Sequence, residues 1–182
     1  MRKKTKLQTN NNNVCIIKLD ECKYIGGNSN SSTYLMKNKD VVKVYTDPYN
    51  CKKDFELLTS LQLIDVVPKI YNFCGHYIIR EYIIGISLNK YIKQNGLNSV
   101  LSLKLITFMD KIYNSNVRNL NINLNNIFIK NDDALILVDV EYSINKKNIF
   151  GELFQDLKNL NLLSIFLEDI KNYNLHLYNK IQ

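Results

Sequence analysis

Between residues 119 and 142 the chain runs N-L-N-I-N-L-N-N-I-F-I-K and, after a polar turn, I-L-V-D-V-E-Y. Side-chain oxygens of Asn121, Asn126 and Asp139 thus flank a short apolar hairpin. Asp139 follows the apolar run 134–138, so its carboxylate is expected to emerge where a buried strand ends. Side-chain oxygens of this kind are hard donors that suit divalent cations. A second group lies upstream. In K-Y-I-G-G-N-S-N-S-S-T-Y-L, residues 23–35, a turn containing Gly26, Gly27, Ser29 and Asn30 joins two expected strands. Glycine there allows φ > 0 and lets backbone N–H groups approach phosphate oxygens closely. The chemistry suggested by both groups is that of phosphate and metal.

These residues need elements to hold them. Short β-branched and aromatic runs between residues 14 and 45 predict antiparallel strands joined by turns, with V-V-K-V-Y at 41–45 the clearest. Phe55, Leu57, Leu58 and Leu61 recur at helical spacing, predicting a helix over 50–63 after the turn-prone Asp47-Pro48. Residues 66–71 and 77–79 predict two more strands around a turn at Cys74-Gly75. Beyond Gly85 the pattern becomes helical at 88–94 and 100–115. The hairpin at 127–140 interrupts it, and a final apolar helix is expected over 154–170. Residues 1–13 are polar and close on a run of Asn, which predicts a disordered tail. A strand-rich first half and a helix-rich second half predict an α+β protein of two lobes, 14–83 and 84–182, with a cleft between them.

Composition narrows the function classes. The 182 residues carry a net charge of +7 and an ordinary apolar fraction, so a folded globular protein is expected. No apolar run approaches the roughly 20 residues that span a bilayer, and no apolar stretch follows the basic start. A membrane partner is therefore not expected, and the location predicted is cytoplasmic. Cys15, Cys22, Cys51 and Cys74 form no CxxC pair and have no His cluster near them, which predicts free thiols in a reducing compartment. Asn, Lys, Ile, Leu and Tyr dominate, Ala occurs once and Trp is absent. Basic residues are spread along the chain apart from those at its start, which predicts a solvated basic surface.

In order and spacing, these segments resemble the protein-kinase-like superfamily. The loop at Gly26, Gly27, Ser29 and Asn30 is similar to the G-G-x-[ST]-N loop of choline kinases and aminoglycoside phosphotransferases. Lys43 stands at the strand lysine that reaches the nucleotide phosphates and is held by a carboxylate on the following helix. Helix phase nominates Asp54 for that carboxylate, with Glu56 the alternative. I-I-R-E-Y-I-I-G-I-S-L, residues 78–88, resembles the hinge segment, where backbone groups of Glu81 and Ile83 would meet the adenine edge. Arg80 stands where these enzymes usually carry an apolar residue. Residues 112–129 keep the spacing of L-H-S-x-x-V-x-H-R-D-L-x-x-x-N-I-x-I, with Asn119, Leu120 and Asn121 in place of His, Arg and Asp. I-L-V-D-V-E-Y resembles the I-D-F-E-Y of choline kinases, and Asp156 matches a helix Asp that supports the catalytic loop backbone.

The resemblance implies a kinase-like fold with a five-stranded first lobe, one helix in that lobe, and a shortened helical second lobe. It implies ATP and Mg2+ as cofactors, Asn126 and Asp139 as metal ligands, and Lys43 and Asn121 at the catalytic positions. The partners implied are a nucleotide and a protein or small-molecule hydroxyl acceptor. Asn121 is an amide where a proton-accepting carboxylate belongs, which implies weak or lost phosphoryl transfer. A pseudokinase acting as a protein-binding module is the alternative. A basic nucleic-acid-binding protein ranks behind both, since no nucleic-acid motif accompanies the charge.

Overall fold

The structure is a computed structural model and describes residues 17–115, 117–118, 120–140 and 149–181. The tail expected at 1–13, Cys15, Asn119, Glu141 and Tyr142 lie outside the described residues. The chain forms two compact units. One comprises the described residues up to Thr59 together with Pro68–Tyr82, and the other comprises Ser60–Val67 together with the described residues from Ile83 onward.

The first unit is a five-stranded antiparallel sheet with one helix inserted in its sequence. Strands β1 (Lys23–Gly27), β2 (Ser31–Leu35), β3 (Val41–Tyr45), β4 (Ile70–Cys74) and β5 (Tyr77–Arg80) lie in the order β1-β2-β3-β5-β4. Val41, Val42, Tyr45, Tyr77 and Ile78 are buried at the sheet's centre, where β-branched and aromatic side chains suit the pleat. Helix α1 spans Pro48–Gln62, two residues earlier than its apolar spacing predicts. Asp47 accepts from the Tyr49 N–H at 3.0 Å, and Pro48 follows as the first helical residue, a position that needs no N–H donor. Cys51, Asp54, Leu57, Leu58 and Leu61 form the buried stripe of α1, and Phe55 stacks on Phe73 of β4 with ring centroids 4.2 Å apart.

The strand expected over 66–71 begins only at Ile70. Val66, Val67 and Pro68 are buried outside any strand. Pro68 has no N–H to donate to a ladder, and the Val66 carbonyl accepts instead from the Leu137 N–H at 2.7 Å. Burial here reports packing and not strand pairing.

The second unit holds a three-stranded sheet, β6 (Gly85–Ser87), β7 (Ile127–Lys130) and β8 (Leu135–Leu137), in that order. The hairpin of β7 and β8 matches the sequence expectation. β6 was not expected, because three residues are too few for alternation to register. Gly85 makes its pairing possible, since a Cβ there would run into the Ile129 carbonyl. Helix α2 (Leu88–Asn95) is capped by Ser87 and α3 (Ser99–Asn114) by Asn98, whose side chain accepts from the Leu101 N–H at 2.9 Å. Leu105, Ile106, Met109 and Ile112 of α3 face the core, and α3 packs on the later helix Leu163–Tyr173.

The single helix expected over 154–170 is two helices, α4 (Gly151–Asn159) and α5 (Leu163–Tyr173), followed by α6 (Leu175–Ile181). Asn161 takes φ 59°. The Asn161 N–H bonds to the Lys158 carbonyl and the Leu162 N–H to the Leu157 carbonyl, the paired bonds of a Schellman stop. Leu153, Leu157, Phe166 and Ile170 are buried on both sides of this break, so apolar spacing alone runs through it. The fold class is the expected one: α+β, with five strands and one helix in the first unit and a mainly helical second unit. No helix of the described residues is long and apolar enough to cross a membrane.

Candidate functional site

Lys43 sits mid-strand in β3, opposite Thr33 of β2 and Ile78 of β5. It is only 6% exposed. Its Nζ lies 3.4 Å from Oδ2 of Asp54, which reaches it from α1. The helix phase thus separates the two candidate acids. Asp54 is buried, while Glu56 is exposed and faces Lys52 and Lys53 at 3.9 and 3.8 Å. Tyr45 completes the group. Its hydroxyl donates to the same Asp54 Oδ2 at 2.9 Å, and its ring centroid lies 5.1 Å from the Lys43 Nζ. Tyr45 carries no motif signal, although residues 43 and 45 of a strand share one face. Arg80, on β5, is buried in the same unit.

Burial is the main reason the Tyr45 hydroxyl is pushed above its ordinary 10.0, and the charge of Asp54 adds to it while Arg80 opposes. Burial likewise pushes the Cys51 thiol from 9.0 up to about 12, with Asp54 adding and Lys43 opposing. Both groups stay protonated in the folded chain where the unfolded chain ionises. The folded state then binds more protons, so stability falls as pH rises, first through the Cys51 range and then through that of Tyr45. Denaturant titrations from about pH 8 to about pH 11 should show this decline, and Cys51→Ala should reduce its earlier onset, to which the Cys22 thiol, also pushed up by burial, contributes. A flat profile would contradict it.

The loop between β1 and β2 is closed by a residue the sequence did not single out. Asn28 Oδ1 accepts from the N–H groups of Asn30 and Ser31 at 2.8 and 2.9 Å, and the Asn28 N–H donates to the Ser31 carbonyl at 2.8 Å. Ser29 Oγ meets Asn30 Oδ1 at 3.4 Å. Gly26 and Gly27 do not take the positive φ that the sequence suggested. The positive-φ glycines are Gly75 and Gly96. Gly27 serves close approach, since a Cβ there would sit 2.6 Å from the Ser31 carbonyl oxygen. The close approach is to the hairpin's own backbone.

At the expected hinge, the Glu81 N–H donates to the Lys69 carbonyl at 2.8 Å, and the Glu81 carboxylate accepts from the Lys69 N–H at 3.3 Å. An adenine contact at Glu81 would therefore have to use its carbonyl. Ile83, in the second unit, has a buried side chain.

In the second unit, Leu120, Ile122 and Leu124 are buried in alternation, while Asn121 and Asn123 are half-buried between them. Asn121 and Asn123 are therefore the less buried positions of this segment. Asn126 donates from Nδ2 to the Asn121 carbonyl at 2.9 Å and accepts at Oδ1 from the Asn123 N–H, also at 2.9 Å. The Val138 N–H donates to the Asn126 carbonyl at 2.8 Å. That bond ties Asn126 to the residue just before Asp139, which is exposed beyond β8. An amide oxygen has two lone pairs, so the Asn126 Oδ1 can accept from Asn123 and still meet a cation. The Asn126 amide oxygen and the Asp139 carboxylate are both hard donors of the kind Mg2+ takes. Among the described residues no group of three or more His, Cys, Asp or Glu side chains forms a metal cluster. Asp156 of α4 accepts from the Leu124 N–H at 2.9 Å, the loop-supporting contact the sequence suggested.

No protein-family model matches the chain. No curated protein matches it. Among solved structures it is similar to the kinase domain of Mycobacterium tuberculosis PknI, with 13% identity over 72% of this chain and a TM-score of 0.45. The match spans 63% of that kinase domain, less than two thirds of its length.

Proposed function

We propose that this chain is a kinase-like protein that binds ATP with Mg2+ and transfers the γ-phosphoryl group slowly to a hydroxyl of a protein or small molecule, in a reducing intracellular setting. The observation that carries this reading is the buried Lys43–Asp54 pair with Tyr45 hydrogen-bonded to it. Taking two charges out of water costs several kcal/mol per ion, and their attraction seldom exceeds that cost. Such a pair is a poor stabiliser, but it holds a cation ready for phosphate oxygens.

In this reading Lys43 neutralises nucleotide phosphates, and Asn126 and Asp139 hold Mg2+, which stabilises charge on the transferring phosphoryl group. Asn126 and Asn121 keep the loop in register through their mutual hydrogen bond. One observation favours a second reading, a pseudokinase: an amide at 121 cannot accept the hydroxyl proton. Equilibrium titration of ATP with Mg2+ into wild type and Lys43→Met tests the main reading. Binding in wild type and its loss in Lys43→Met are expected, and equal affinity in both proteins would refute the role of Lys43.

A further inference from the structure

We infer that Glu152 is the proton acceptor of this site, taking the part that the Asn121 amide cannot. The inference rests on the phosphotransferase reading above. One face of α4 presents two carboxylates, four residues apart, to the loop at 121–126. Asp156 is half-buried and fixed on the Leu124 N–H. Glu152, one turn earlier, is exposed, with Oε2 3.4 Å from Asn123 Nδ2.

The direction of the Asn123 amide is settled by its other end. Its Oδ1 accepts from the N–H groups of Asn125 and Asn126 at 2.9 and 3.1 Å, so Nδ2 is the end turned to the carboxylate. A continuous series of hydrogen bonds then runs from Glu152 through Asn123 and Asn126 to the Asn121 carbonyl. The Glu152 carboxylate is thus joined to the same hydrogen-bonded loop that carries Asn121. A glutamate is ionised at neutral pH and can take a proton.

The step balances with water as the simplest acceptor. The water oxygen attacks the γ-phosphorus and forms a new P–O bond. The bond between the γ-phosphorus and the β,γ-bridging oxygen breaks, its electron pair leaving with ADP. The water proton passes to the Glu152 carboxylate, which releases it to solvent.

The test is steady-state ATP hydrolysis by the full chain with Mg2+, alongside titration of ATP affinity. Glu152→Gln keeps the size of the side chain, and kcat should fall by about 10²-fold or more with ATP affinity unchanged. Adding Asn121→Asp to that variant should restore turnover. Unchanged kcat in Glu152→Gln overturns the assignment while the phosphotransferase reading stands. A fall that Asn121→Asp does not restore also overturns it, leaving Glu152 a structural role. Wild-type turnover no higher than that of Asp139→Ala overturns both the assignment and the reading.

Discussion

Asn121→Asp raises ATP turnover by about 10²- to 10⁴-fold when Glu152 has been replaced by Gln, and by less in the otherwise wild-type chain. The magnitude is what a positioned proton acceptor typically contributes. The difference between backgrounds follows from two carboxylates offering the same service, since groups that act on one step are not additive. Residue 121 is well placed to accept the change. It is one of the less buried positions of its segment, and its carbonyl is already held by Asn126 at 2.9 Å. Quenched-flow measurement of ADP release in the four proteins of this cycle checks it. Equal gains in both backgrounds would show that Glu152 takes no part. No gain in either, with ATP affinity retained, would favour the pseudokinase.

Asp54→Ala destabilises the protein by about 3–5 kcal/mol, because it breaks a buried ion pair from one side. Lys43 and the Tyr45 hydroxyl both direct their hydrogen bonds to Asp54 Oδ2, so one substitution takes that acceptor from two buried donors. The informative comparison is the double variant Lys43→Met, Asp54→Leu. Replacing a whole buried pair by apolar side chains of similar size is often neutral or stabilising, so most of the lost stability should return. ATP binding should not return with it. Urea unfolding and ATP titration on the same three proteins separate the two effects. A double variant that binds ATP like wild type would mean the pair serves the fold alone.

What the sequence made legible follows a physical pattern. Val41–Tyr45 announces itself because three valines and a tyrosine fill four of its five positions, and the strand spans those bounds. Asp54 was chosen over Glu56 by helix phase alone, and the two residues separate by burial as that phase requires. Asp156 was found by its place in a motif, and its contact with the Leu124 N–H is a local consequence of that place. What stayed hidden depends on partners distant in sequence or on single hydrogen bonds. Tyr45 matters through a residue nine positions away on another element. Asn28 closes its turn through one amide oxygen in an Asn-rich run where composition hides it. Glu152 lies 29 positions from the Asn123 it meets. The break between α4 and α5 turns on the backbone of Asn161, and apolar periodicity carries no record of it.

Thermal unfolding with ATP, with Mg2+ and with both, in wild type and Asp139→Ala, reads nucleotide binding and its dependence on the metal in one experiment. A ligand that binds only the folded chain adds roughly 2.7 kcal/mol of stability at a hundred times its Kd. ATP and Mg2+ together should raise the wild-type midpoint well beyond either alone, and Asp139→Ala should lose the increment due to the metal. A wild-type midpoint that ATP leaves unmoved, or moves equally in EDTA and in Mg2+, would contradict it.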